Sequence, residues 1–299
     1  MKQETIRSAA EALPLHTPKL PTNLPKPSVP QDIDARSWNT SKLGLRIGAD
    51  ALAASAAGVL VAPIIMMIDK GIIENASGRN TLGESLRGSL KELMSRPHGF
   101  LRSKPFALIW TLYFGTYFTA NSIDTASSTM NPKPIASTTT GIDKFIATST
   151  ANLALCLYKD NRFTQLFGST GPSRPVPLPT FALFTVRDSL TIFASFNLPP
   201  LLAPSLEKQM GEEMKKYIGA ASVAQFVTPA AMQLVSTPLH LLGLDLYNRE
   251  GVRWHDRASR VARDWAKSVL ARMGRIIPAF GVGGVVNTKI RRGLMGRLE

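Results

Sequence analysis

The sequence predicts an all-α, polytopic membrane protein in which six transmembrane helices form three repeated hairpins. Three observations carry this expectation. Apolar residues gather in blocks separated by short polar and basic stretches, instead of being dispersed at the period of an amphipathic soluble fold. An opening of arginine, two spacers and proline, at Arg102 and Pro105, returns at Arg275 and Pro278. The formal net charge of +14 over 299 residues falls between the blocks, which suits loops beside an anionic membrane surface.

Ahead of the first block, residues 1–42 hold Pro14, Pro18, Pro21, Pro25, Pro27 and Pro30 among scattered charges, the composition of an extended leader that packs no core. It lacks the apolar stretch of a secretory signal, and Glu4, Glu11, Asp32 and Asp34 argue against a basic presequence, so any targeting signal is expected to be internal.

The first expected span covers 43–68. Its alanines and glycines permit close helix approach, its length suits roughly 30 Å of hydrocarbon, and Pro63 places a kink in it. Leu82, Leu86, Leu90 and Leu93 then recur at helical spacing with Arg87 and Lys91 between them, as in a short surface helix. The second span, 105–123, is strongly aromatic and runs into a Ser, Thr and Pro-rich connector. The third, 145–158, carries Asn152 in the place of a kinking proline and ends at Lys159, Asp160 and Arg162.

The fourth span starts near Pro177 and runs to about Leu202, its Phe181-Ala-Leu echoing Phe106-Ala-Leu of the second. A mixed-charge connector leads to the fifth, 217–244, with Pro238 inside it. Arg253, Arg257, Arg260 and Arg263, interleaved with Val261, Trp265, Val269 and Leu270, form a second basic amphipathic helix, and the sixth span, 275–286, is closed by Lys289, Arg291 and Arg292. Pro63 set beside Pro238, and Pro105 beside Pro278, align two hairpins whose internal distances differ by about two residues. The repeats so defined cover about 43–123, 141–203 and 217–293. The basic segments then share one face of the membrane, and both ends of the six-span domain lie on the other.

Three hairpins, a kinking residue in each odd helix, an amphipathic helix on one face and Arg-x-x-Pro before even helices resemble the mitochondrial carrier family over roughly residues 43–293. That resemblance implies a central cavity reached alternately from two sides of the mitochondrial inner membrane, with the outer membrane as the alternative location. It further implies contact with cardiolipin, a small anionic metabolite as substrate, and Arg102 and Arg275 as substrate contacts. The positions where the family places its gate charges hold Ile65 and Ile68 after Pro63, Ala154 and Leu157 after Asn152, and His240 and Gly243 after Pro238. No charged gate is therefore expected on the basic side; of the second gate only Asp188 falls in place, and Lys289 is a further candidate for gating or charge pairing.

The residues themselves add Arg187, which with Asp188 sits inside the fourth span, where ionisable groups are costly enough to face protein or water. They serve either as an interhelical charge pair that fixes packing or as part of a transport path. Adjacent helical residues diverge by about 100°, so each is expected to have its own partner. Transport through the cavity is the leading expectation; a transport-inactive scaffold, insertion or morphology factor is the second. The single cysteine, Cys156, reads as a small buried apolar residue. His16, His98, His240 and His255 show no metal-ligand spacing, and no phosphate loop or nucleophile motif is present, so no enzyme, metal or cofactor is expected. The arginine-rich segment lies between spans, which favours lipid headgroups over nucleic acid as its anion.

Overall fold

The computed structural model describes residues 38–299, apart from 132, 140, 169–171, 173, 212, 214–218 and the side chains of 196, 221, 222 and 280. The leader expected over 1–42 lies, up to residue 37, outside the described residues. Among these residues the regular structure is helical: α1 Leu43–Ser77, α2 Leu82–Ser95, α3 Pro97–Leu101, α4 Lys104–Met130, α5 Ile142–Phe167, α6 Leu178–Phe196, α7 Leu198–Gln209, α8 Ala220–Asn248, α9 Trp254–Gly274, a π-helical segment Ile277–Gly283 and α10 Gly284–Met295.

Six long elements form a ring. α4 packs along α1, α5 along α4, α6 on α5 and α8 on α6, while the π segment and α10 return to α1. The approach of α1 to its neighbours rests on its small face, in which Ala53, Ala54, Ala57, Val61 and Ala62 are fully buried. At Gly283 the π segment passes so close that an added Cβ would stand 2.8 Å from Val61 Cγ2, and the Tyr117 hydroxyl beside it donates to the Ala279 carbonyl at 2.7 Å. An apolar cluster of Ile65, Ile72, Ile73, Phe100, Phe106, Ile109, Phe163, Phe184 and Leu244 fills one end of the ring.

The two ends are distinct. At one, Asn39 donates to the Thr129 carbonyl and Lys42 to the Leu298 carbonyl, so the start of α1, the end of α4 and the segment after α10 meet. At the other, Ser77 donates to Phe167 O, Arg260 to Ala76 O and Lys267 to Asn75, which gathers the ends of α1 and α5 with α9.

Several expected boundaries move. α1 continues past residue 68 through Asp69, Lys70 and Glu74, and stops where Gly78 takes φ 82° and its N–H caps the helix onto Asn75 O. α5 likewise carries Lys159, Asp160 and Arg162 within the helix. The fourth span ends at Phe196, and Pro199 starts α7 instead of extending it. The sixth is a π segment followed by α10, which includes Lys289, Arg291 and Arg292. Charges that mark the edge of an apolar window need not mark the end of a helix when they find buried partners.

The amphipathic segments also differ in detail. α2 is opened by a capping box in which Thr81 and Glu84 satisfy each other's backbone N–H, and these bonds hold the exposed Glu84 carboxyl below its ordinary range. Leu82, Leu86 and Leu93 turn inward, whereas Leu90 is exposed. In α9 the inward face is mixed, with Arg257, Asp264, Ser268 and Arg272 buried beside Val269, while Leu270 and Trp254 point out. Arg257 donates to the Asp245 and Arg249 carbonyls and so caps the end of α8. Pro238 cannot bond the Leu234 carbonyl, and Trp265 of α9 donates its indole N–H there at 3.1 Å.

Leu43–Ser77 and Trp254–Met295 are long and apolar enough to cross a membrane by length and composition. The other elements of the ring are less apolar, because their inner faces carry Asn121, Asp124, Lys159, Arg187, Gln233 and His240.

Candidate functional site

The ring encloses a cavity of about 600 Å³, lined by α4, α5, α6, α8, α9, the π segment and α10. Its walls are largely apolar, with Leu112, Ile192, Phe226 and Val285, and carry uncharged polar groups among them: Thr116 and Tyr117 of α4, Asn152 of α5, Thr191 of α6, Gln225 of α8 and Thr288 of α10. Asn152 donates to Thr116 at 3.1 Å across α4 and α5, which fixes its amide in the wall. Lys289 and Arg292, both exposed, mark the mouth, at the end where α10 finishes.

The floor is charged and closed. Lys159 binds Asp69 at 2.7 Å and also pairs with Asp160; Arg275 pairs with the other oxygen of Asp69. Arg187 pairs with Asp160, donates to Asp188 at 2.9 and 2.6 Å, and approaches His240 Nδ1 at 2.6 Å. A guanidinium can only donate, so in this arrangement His240 Nδ1 serves as the acceptor. The network ties α1, α5, α6, α8 and the start of the π segment together beneath the cavity.

Seven ionisable groups of opposite sign thus meet at the floor, the carboxylates of Asp69, Asp160 and Asp188 against the cations of Lys159, Arg187, Arg272 and Arg275. Arg272 is the surplus charge. It is 6% exposed, and its one protein acceptor among the described residues is Gln233 Oε1, at 2.9 Å from Nε. Gln233 is itself oriented by donating its amide to the Pro229 carbonyl at 2.9 Å. The terminal nitrogens of Arg272 are left for whatever occupies the cavity it lines. A buried cation without a carboxylate costs free energy that a ligand carboxylate would return.

A second buried polar cluster locks α1, α4 and α10 at the mouth end. Arg291 donates to Asp50 at 2.7 Å and to Thr125 at 3.2 Å; Asn121 and Asn287 exchange hydrogen bonds at 2.9 and 3.0 Å; Arg46 donates to Ser128 at 2.7 Å. These groups face helix neighbours and do not line the cavity.

Of the residues singled out from sequence, Arg275 and Asp188 stand at the cavity floor and Lys289 at its mouth. Arg187 lies just beneath, saturated by carboxylates, and it pairs with its own neighbour Asp188, contrary to the expectation of separate partners. The long arginine side chain is able to reach the short neighbouring carboxylate with both Nε and Nη2. Arg102 is exposed at the end of α3 and contributes nothing to the cavity. The motif positions Ile65, Ile68, Ala154 and Leu157 are uncharged as read, but the expectation that this side has no charged closure fails: Asp69, Lys159 and Asp160 make one further along the same helices. Pro63 and Pro238 both lie inside continuous helices.

A ring of helices around a cavity, closed by ion pairs at one end and bordered by exposed cations at the other, is an arrangement consistent with a membrane transport protein. A family model described as Probable citrulline exporter matches residues 53–295, and the chain belongs to that family. The match replaces the mitochondrial carrier family, whose resemblance rested on hairpin spacing and proline placement. No curated protein and no solved structure matches the chain.

Proposed function

We propose that this protein exports citrulline, or an amino acid of the same charge and shape, through the central cavity. The observation that carries the reading is Arg272, buried at the cavity floor with an amide as its protein partner. Citrulline is a zwitterion with a neutral ureido tail. Its carboxylate fits Arg272 and Arg275, its ammonium fits Asp188, and its ureido group fits amides and hydroxyls such as Asn152, Gln225 and Thr191. The volume of about 600 Å³ falls in the range of roughly 300–1,000 Å³ typical of small-molecule sites. A zwitterion also suits the mixed floor better than the purely anionic substrate that the carrier resemblance implied.

In this reading the six long elements all cross the membrane, with α2 and α9 on the basic face, where lipid headgroups meet exposed Arg87, Lys91 and Arg263. The mitochondrial inner membrane, anionic on its matrix side, stays the proposed location. Passage requires the floor to open, and the ligand's own charges can take the place of Asp69 on Arg275 and of Arg187 on Asp188 while those pairs part.

Cys156 gives a direct test, since it is the single cysteine and lines the cavity. An anionic, membrane-impermeant methanethiosulfonate is expected to label it through the mouth, and citrulline is expected to slow that labelling in proportion to site occupancy. Labelling at an unchanged rate under saturating citrulline would contradict occupation of this cavity.

A further inference from the structure

Charge is distributed unevenly along the cavity. Of its charged lining residues among the described residues, Arg272, Arg275, Lys289 and Arg292 are basic and Asp188 alone is acidic, and both Asp188 oxygens already accept from Arg187. Arg275 precedes the π segment, whereas Lys289 and Arg292 lie in α10 beyond it, so cations border the cavity at both ends. Between them lie Thr116, Asn152, Thr191 and Gln225, polar groups without charge set among apolar side chains such as Leu112, Ile192 and Phe226. The middle of the cavity therefore offers hydrogen bonds and a positive potential.

We propose that the cavity selects amino acids with neutral, hydrogen-bonding tails and rejects those with cationic tails, through the absence of an acid in its middle zone. The inference rests on the exporter reading and adds its selectivity. Citrulline and arginine have nearly the same shape and differ in the group at the tail, a ureido oxygen against an imino nitrogen that makes the tail a cation. With the carboxylate seated on Arg272, an arginine or ornithine tail would place its charge between the basic floor and the basic mouth with no carboxylate among the described residues to receive it. The discrimination comes from a group the site lacks, and shape alone could not supply it.

Asn152 and Gln225 are the positions that test this, because Asn152→Asp and Gln225→Glu add a carboxylate with almost no change in shape. The purified full chain is titrated with citrulline, arginine and ornithine, reading the shift in melting temperature, with circular dichroism to confirm that each variant is folded. The wild type is expected to be stabilised by citrulline and not by the two cations, and at least one variant is expected to gain a response to arginine. A wild type stabilised equally by arginine would overturn the selectivity while leaving the exporter reading intact. Folded variants that still ignore arginine would overturn the charge mechanism. A wild type that responds to none of the three would overturn the exporter reading, and the selectivity with it.

Discussion

Replacing Arg272 by glutamine is expected to abolish ligand recognition while leaving the protein folded, and to raise its melting temperature rather than lower it. The two effects have one cause. Arg272 is buried without a carboxylate, so it costs stability in the empty protein and is available to a ligand carboxylate in the loaded one. Removing one member of a buried, hydrogen-bonded charge pair costs about 2–5 kcal/mol, which corresponds to citrulline binding roughly thirty- to several-thousand-fold more weakly. Isothermal titration of the detergent-purified variant reads the first effect and thermal unfolding reads the second. A residue of purely structural value would lose both together.

The opposite pattern is expected at the mouth end, where the buried charges are matched. Asp50 and the Arg291 side chain are 0% and 2% exposed and 2.7 Å apart, with Thr125 bonded to both. Truncating either partner to alanine leaves an uncompensated buried charge and is expected to destabilise by about 3–5 kcal/mol. Because each single variant incurs that cost, the double variant should be less destabilised than the sum of the two, a non-additivity that a double-mutant cycle in thermal unfolding would detect. Neither residue lines the cavity, so whatever fraction of each single variant folds should bind citrulline as the wild type does.

The all-helical nature of the chain, the surface helix after α1 and the basic segment after α8 are legible in the sequence, because each rests on local periodicity. The floor is not. Asp69, Lys159 and Asp160 look like charges at the edges of apolar windows, and their meaning depends on α1 and α5 continuing past them and meeting in space. One signal was present: a paired acid and base, Asp69 with Lys70 and Lys159 with Asp160, follows the kinking positions Pro63 and Asn152 by similar intervals.

Arg272 is not distinguished by sequence from the other arginines of the basic segment, Arg253, Arg257, Arg260 and Arg263. Its face becomes visible only once Arg257, Asp264, Ser268 and Arg272 are seen to point inward. The clasp of Arg46, Asp50, Thr125 and Arg291 joins residues up to 241 positions apart, beyond the reach of any local pattern. Arg102 shows the converse: a motif repeated in sequence placed one arginine at the cavity floor and the other outside it, since α3 turns the chain before α4 begins while α9 leads into the π segment with little break.

The most direct test of the account is efflux of labelled citrulline from liposomes holding the purified protein, with Arg272→Gln vesicles run in parallel. The account predicts saturable efflux from wild-type vesicles that is lost in the variant, and no comparable efflux of labelled arginine. Wild-type vesicles that retain citrulline as protein-free vesicles do, from a protein shown to be folded, would contradict it and turn the cavity into a feature of a membrane scaffold.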